Sequence, residues 1–438
     1  MTREAIDRFA ADFAAHAGSL PGARVSWLAR LRRQSLEEFV EHGLPGPRDE
    51  DWKYTSVASL SNRKLALPDA ASVDASALPL AFDNGDAHRL VFVNGRYVAA
   101  LSSVQRLPAG AIVESVGHAL ERDPEAFERV FAMKRHETTF AALNAAFMAD
   151  GVHLRIPRGV AVEEPIHLYF VATLADAAIH PRNVLVLDEG AQATVVEHYV
   201  GLDGAASFTN AITQAFIGGG ASLAHYKVQQ ETTRALHIAG IHVAQAHDSR
   251  FESHSIAQGA ALSRNDITTS FDGEGCEAVL DGLFVAGGRQ HVDHHTRIDH
   301  AKPRGTSREY YKGILDGGAR GVFNGKVIVH PGAQKSDAHL VSRNLLLSKT
   351  AEVDAKPELT IDADDVKCSH GATVGQLDLD ALFYLRSRGL PEALARALLI
   401  YAFAREIVDR IRVVPLRSAL ERVLLARLPE GDRIREAA

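Results

Sequence analysis

From about residue 151 to 375 the chain is cut into short β-rich runs of nearly equal length, and that spacing limits the folds open to it. Turn-forming residues recur near Gly190, Gly204, Gly218, Thr232, Ala246, Ala260, Gly275, Gly288, Gly305, Gly318 and Gly332, a step close to fourteen residues. Runs starting at Ala193, Ala221, Ser249 and Glu277 stand about twenty-eight apart. A fixed period of this size marks a repeat architecture. Fourteen residues suit one strand and one turn, so two units complete a coil of a β-solenoid with two long faces. An antiparallel sandwich would also space its turns evenly. Most steps, however, lack the tight Asn-Gly or Asp-Gly hairpin turn, the exceptions being Asp272-Gly273, Asp281-Gly282, Asp316-Gly317 and Asn324-Gly325. The expected fold is therefore mainly β: a right-handed parallel β-helix (β-solenoid) core over 151–377, between an N-terminal helical and mixed region, 1–150, and a C-terminal helical region, 378–438.

The flanks carry helical spacing. Ile6, Phe9, Ala10 and Phe13 fall at steps of three and four, as do Trp27, Leu28, Leu31 and Leu36. Pro45-Gly46-Pro47 breaks the pattern. Arg89 to Val98 reads as a hairpin turning at Asn94-Gly95, and a single helix is expected from about 124 to 148. Beyond Asp378, the run Ala381 to Arg388 ends at Gly389, and Pro391 suits the first turn of the next helix. Ala393, Ala397, Ile400, Ala404, Ile407 and Ile411 then form an apolar stripe, repeated by Leu416, Leu420, Leu424 and Leu428. Such stripes need cover. Packing onto the solenoid end and docking of another protein are both open at this point.

Composition narrows the function. A net charge of −7 over 438 residues speaks against broad electrostatic binding to nucleic acid or an anionic membrane. The first residues, Met1-Thr2-Arg3-Glu4-Ala5-Ile6-Asp7-Arg8, alternate charges and lack the apolar stretch of a secretory signal. Only two cysteines occur, about ninety residues apart, which fits free thiols in a reducing cytoplasm.

The residues with metal chemistry are few. Cys368 and His370 stand two apart at the end of the β-rich region, so on a strand they share a face. Thiol and imidazole are ligands that iron, zinc and copper favour. Two donors do not close a metal site, and an iron–sulfur cluster usually takes four cysteines. If this pair binds iron or a nascent cluster, the other ligands come from a second polypeptide. Without that role, Cys368 is a small buried hydrophobe beside a hydrogen-bonded histidine. Lys367 favours the thiolate, whereas Asp364 and Asp365 oppose it.

Other groupings carry less. In His291-Val292-Asp293-His294-His295-Thr296-Arg297-Ile298-Asp299-His300, alternation puts His291, Asp293 and His295 on an outer face and Val292, His294, Thr296, Ile298 and His300 toward the core. Its spacing matches no strong zinc motif. Cys276, beside Glu277-Ala278-Val279-Leu280, reads as core. Gly321-Val322-Phe323-Asn324-Gly325-Lys326-Val327 fails as a phosphate loop, because its first glycine is one residue too near the Gly-Lys pair and no Ser or Thr follows Lys326. Asp362, Asp364 and Asp365 are expected in an exposed acidic turn.

The stretches Tyr310-Tyr311-Lys312-Gly313-Ile314-Leu315, Val322-Phe323-Asn324-Gly325-Lys326, Ala333-Gln334-Lys335-Ser336-Asp337-Ala338, Ser342 to Ser348, Lys367 to Gly375 and Leu382 to Gly389 follow one another in order. Together with Glu50-Asp51-Trp52-Lys53-Tyr54-Thr55 they resemble the SufB/SufD family of iron–sulfur cluster assembly proteins. Within it the resemblance is to the SufD type. SufB-type chains carry Glu-His-Glu where Ser369-His370-Gly371 stands here, and a cysteine in the turn held here by Lys349-Thr350-Ala351. The resemblance implies a non-catalytic scaffold subunit: a β-helix that pairs with SufB through its last coils, about 335–375, and docks the SufC ATPase on its C-terminal helices. It implies a homodimer as a further state of the isolated chain. It also implies that His370, with Cys368 second, faces a nascent cluster or iron shared with SufB. A reduced flavin occurs in some complexes of the family, and no residue here locates a site for it. Two other readings stand beside this one: a β-helix enzyme acting on polysaccharide, and a structural interaction module with no metal role.

Overall fold

The computed structural model describes residues 3–68, 87–132 and 138–437. The chain alternates between two long sheets whose successive coils lie in parallel register. The first sheet runs through His88–Val93, Ile166–Ala172, Gln192–Gly201, Ser222–Gln230, Arg250–Ala257, Glu277–Ala286, Thr306–Leu315, Asp337–Leu346 and Lys367–Gly375. The second runs through Val152–Ile156, Arg182–Leu187, Phe208–Ile217, Leu236–Gln245, Leu262–Phe271, His291–His300, Arg320–Val329 and Glu352–Ile361. Register neighbours Arg250 and Glu277 are 27 residues apart, His225 and Ser253 are 28, and His339 and Ser369 are 30. The spacing read from the sequence is this coil length, and the parallel solenoid is the fold.

Pairing begins before the expected start at 151. His88–Val93 lies parallel to Ile166–Ala172, and a two-residue turn, Asn94 (φ 48°) and Gly95 (φ 79°), returns the chain antiparallel as Arg96–Tyr97. Positive φ at both turn residues is what a tight hairpin of this hand requires. On the second sheet, Ile112–Ser115 pairs antiparallel with Val152–Ile156. These short antiparallel strands close the N-terminal end of both ladders. In place of one helix over 124–148 there are two, Glu125–Ala132 and Thr139–Phe147, the second capped by the Thr138 hydroxyl, which accepts the Ala141 N–H.

Two of the Asp-Gly and Asn-Gly pairs taken as turn signals lie inside strands. A Cβ on Gly282 would sit 2.1 Å from the Tyr311 ring of the next coil, and one on Gly325 would sit 2.3 Å from Leu340 Cδ1. Glycine is there to admit a neighbour's side chain, not to bend the chain.

Both broad faces are covered, as parallel sheets require. Helices Arg3–His16, Ser26–His42 and Thr139–Phe147 lay Phe9, Phe39, Leu143 and Phe147 over Phe208, Leu236, Ile238 and Leu262 of the second sheet. Helices Glu392–Val408 and Val414–Ala426 lay Ala404, Ile407, Leu416 and Leu420, with Ile411 between them, over Val196, Tyr226, Val228, Ile256 and Ile314 of the first. The C-terminal stripes are thus consumed on the flank of the solenoid rather than at its end.

The interior is apolar where aliphatic rows stack, but a polar seam runs through its middle. Glu197 accepts hydrogen bonds from Thr213 (2.6 Å) and Tyr199 (2.8 Å), and Lys227 Nζ lies 2.7 Å from His237 Nε2 and 3.0 Å from Asn265 Oδ1. Each buried charge there has a partner, which offsets its desolvation. Glu309 is different. It is fully buried, and burial pushes its carboxyl up to about 7, countered only by the Thr296 hydroxyl. The folded chain therefore holds a proton on Glu309 that the unfolded chain releases near the ordinary value of 4.5. This group's contribution to stability is full below that value and is lost as the pH rises through about 7. Denaturant unfolding of Glu309→Gln beside the unaltered chain should show the variant's relative stability rising by up to about 3 kcal/mol between roughly pH 5 and 8. A difference independent of pH would rule Glu309 out as the titrating group.

Candidate functional site

The C-terminal end of the solenoid is built unlike the other end. Lys367–Gly375 pairs only with Asp337–Leu346, and Glu352–Ile361 only with Arg320–Val329, so each is an edge strand with one side of its backbone unpaired. Neither strand contains a buried residue. Pro357 sits in Glu352–Ile361, a position allowed only where the ladder is open on one side.

Register fixes where the two expected ligands point. Cys368 lies opposite Ala338 and His370 opposite Leu340, both fully buried core residues. The inward row through His370 runs Val195, His225, Ser253, Leu280, Glu309, Leu340, His370. Cys368 and His370 are therefore side by side on the inward face, as their spacing predicts. With no coil beyond them, His370 is exposed and Cys368 is half-buried against the core. Val374 (49% exposed) and Ile361 (42% exposed) occupy inward rows on the same two strands. The end is an apolar cross-section of the core with an imidazole and a thiol set into it.

Charge around the thiol, ambiguous in sequence, is settled by packing. Burial pushes the Cys368 thiol up; hydrogen bonding to the Ala338 backbone opposes this and the Asp337 charge adds to it. The acidic turn is exposed as expected, and Asp365 is tied to Lys335. On the outer side of the same strands a polar string runs from Arg308 through Asp337 (3.0 Å) and His339 (2.9 Å) to the Ser369 hydroxyl. Sequence reasoning missed His339. Its signal was the Asp-x-His spacing, which puts carboxylate and imidazole on one strand face.

The run from His291 to His300 is a fastening, not a ligand set. Val292, His294, Thr296, Ile298 and His300 are buried in the interior as alternation predicts, and His300 lies between Ser307 (2.9 Å) and Ser336 (3.2 Å). On the outer side Asp293 is fully buried rather than solvated. It receives hydrogen bonds from Thr55 (2.6 Å) and Arg264 (2.9 Å), with His295 at 3.1 Å. Burial would raise its carboxyl, but His295 and Arg264 outweigh that and hold it far below the usual range. Arg264 also stacks 3.8 Å from the Trp52 ring and donates to the Asp51 carbonyl at 2.6 Å. The Glu50–Thr55 motif is thereby clamped to the second sheet. Cys276 is buried in the core, and Gly321 to Val327 is strand throughout. Among the described residues no group of three or more His, Cys, Asp or Glu is arranged to hold a metal ion, so Cys368 and His370 remain a pair.

The C-terminal helices are bolted to the first sheet. Lys312 Nζ meets Glu406 at 2.6 Å, Tyr310 donates to Glu406 at 2.8 Å, Arg410 pairs with Asp281 at 2.9 Å and Arg412 with Glu252 at 3.3 Å. Among the described residues their large exposed apolar side chains are Leu379 (73%), Phe383 (72%) and Tyr384 (56%) on the short helix Leu379–Ser387, with Val414 apart from them. Among the described residues no helix is long and apolar enough to cross a membrane.

Among the described residues the molecule is thus a parallel solenoid closed at one end and left at the other with two open strand edges around a Cys–His pair. Residues 170–403 match the SufBD core domain of the SUF system for FeS cluster assembly, and residues 4–168 match the SufBD protein N-terminal region. The chain is 34% identical over 419 residues to an iron–sulfur cluster assembly SufBD family protein of Synechocystis, covering 93% of this chain and 92% of that one. It is 34% identical over 407 residues to the iron–sulfur cluster assembly protein SufD of Escherichia coli (92% and 93%), and 28% identical over 412 residues to SufD of Bacillus subtilis (91% and 93%). The chain belongs to the SufBD family of iron–sulfur cluster assembly proteins.

The two thiols differ in access, which labelling can read. Under native conditions iodoacetamide should modify Cys368 alone, more slowly at pH 7 than a free cysteine and faster as the pH is raised, since the thiolate is the nucleophile. In denaturant both cysteines should react. Peptide mass analysis showing native modification of Cys276 would contradict the packing described.

Proposed function

We propose that this chain is a SufD-type scaffold subunit without catalytic activity of its own. It pairs with a SufB-type partner through the open solenoid end, about 335–375, and receives a SufC-type ATPase on its C-terminal helices. The observation that carries the reading is the pair of unpaired edge strands, Glu352–Ile361 and Lys367–Gly375, with His370 exposed between their apolar inward rows. A partner adding parallel strands satisfies the open backbone groups and buries Val374 and Ile361. The same addition brings its own side chains to His370 and Cys368.

In that setting the His370 imidazole offers a lone pair to iron, or to a cluster in assembly, as cargo shared with the partner. Cys368 is second, since burial keeps its proton on and a bound cation would have to displace it. Movement imposed on the C-terminal helices reaches the sheet through Glu406–Lys312, Arg410–Asp281 and Arg412–Glu252. Leu379, Phe383 and Tyr384 supply apolar contact for the ATPase. The two free cysteines support a reducing cytoplasm as the setting.

Co-expression of His370→Ala with SufB- and SufC-type partners should leave the three-protein complex intact and lower its iron and acid-labile sulfide severalfold. Cys368→Ser should lower them less. Unchanged iron and sulfide in an intact His370→Ala complex would make the chain a plain structural module, and failure of the unaltered chain to co-purify with either partner would refute the pairing.

A further inference from the structure

The C-terminal helices do not close completely on the first sheet. Where helices Glu392–Val408 and Val414–Ala426 cross the strands they leave a cavity of about 360 Å³, within the size range of small-molecule sites. Ala286 and Ile314 form its floor and Ile400, Ala404 and Leu424 its roof. Sites of this kind pair apolar walls with a few placed polar groups.

One buried polar group at this cavity is unmatched, and one cation beside it has no carboxylate partner among the described residues. Gln258 is 2% exposed and its Oε1 accepts from Gln230 Nε2 at 3.3 Å, but its own Nε2 has no protein acceptor. A buried amide donor left this way is costly unless something fills the place. Arg427, which caps the C-terminus of helix Val414–Ala426, donates from Nη2 to the Gln258 backbone carbonyl at 2.8 Å. Among the described residues it has no carboxylate partner, and burial alone lowers its guanidinium pKa. A guanidinium with donors left over beside an unmatched buried amide donor suits a charged acceptor, and a carboxylate fits the guanidinium fork. The Asp316 carboxylate also lines the cavity, with Oδ1 accepting the Gly317 amide at 2.8 Å. Its charge disfavours a polyanion such as phosphate and leaves a singly charged head as the better match.

We propose that this cavity binds a small amphipathic carboxylate, its aliphatic or aromatic body between Ile314 and Ala404 and its head on Arg427 and the Gln258 amide. The ligand would sit in the joint between the solenoid and its C-terminal helices, away from the open strand edges. The site therefore stands or falls independently of the partner reading.

Octanoate titrated into the full-length chain tests this by calorimetry and thermal melting. Saturable one-site binding is expected, with a melting temperature that rises with octanoate concentration. Arg427→Gln should weaken binding about tenfold or more, as should replacing octanoate by 1-octanol, which keeps the chain and loses the charge. Gln258→Glu should weaken it further by repulsion, and Ala404→Phe should abolish it by filling the space. Gln258 and Ala404 are buried, so Arg427→Gln, a partly exposed position, decides the matter if those variants fail to fold. Leu379→Ser/Phe383→Ser, which removes the separate exposed patch, should leave binding unchanged. No saturable binding, affinity unmoved by Arg427→Gln, or loss of binding in Leu379→Ser/Phe383→Ser would each overturn the proposal.

Discussion

A ladder of parallel strands satisfies its backbone hydrogen bonds everywhere except at its two ends, and this molecule treats its ends differently. Arg96–Tyr97 and Ile112–Ser115 turn antiparallel against the first coil and close it. At the far end nothing plays that part among the described residues: Glu352–Ile361 and Lys367–Gly375 each keep one row of N–H and C=O groups to solvent. Exposed edges are ordinarily blunted by charge, proline or cover. Glu352–Ile361 does carry Pro357 and the charges of Glu352, Asp354, Lys356 and Glu358, yet its own Ile361 and Val374 of the neighbouring end strand stay uncovered.

The flanks are built differently from that end. Each sheet's outer face is occupied by a helical region, the second sheet by the N-terminal helices and the first by the C-terminal ones. Apolar packing supplies the bulk of both contacts and a few charge pairs fix their register, the buried Arg264 with Asp293 on one side and the buried Lys312 with the solvent-facing Glu406 on the other. Buried pairs of this sort are weak evidence of added stability but are costly to break singly. They hold each helical layer to particular strands of its sheet.

Much of this was legible because the solenoid imposes its period on the sequence. Turn residues mark each corner, so coil length and parallel order follow from spacing alone. The inward pairing of Cys368 and His370 followed from alternation, a purely local rule. What escaped was tertiary. Asp281-Gly282 and Asn324-Gly325 imitate turns, and only the neighbouring coil reveals that Tyr311 and Leu340 need the space. The apolar stripes from Ala393 to Leu428 announced a covered face without saying which surface covers it. Asp293 reads as solvated until Thr55, more than two hundred residues earlier, is brought over it. His339 had a signal that was overlooked, whereas the place of Gln258 and Arg427 at one cavity had none.

The asymmetry of the two caps also sets a limit on number. A body with one sealed end and one open end has room for a single neighbour along its ladder. Were a neighbour sealed at its own far end to pair there, growth would stop after one addition instead of running on into a fibre, and a closed particle of defined stoichiometry would follow from the shape of the two chains.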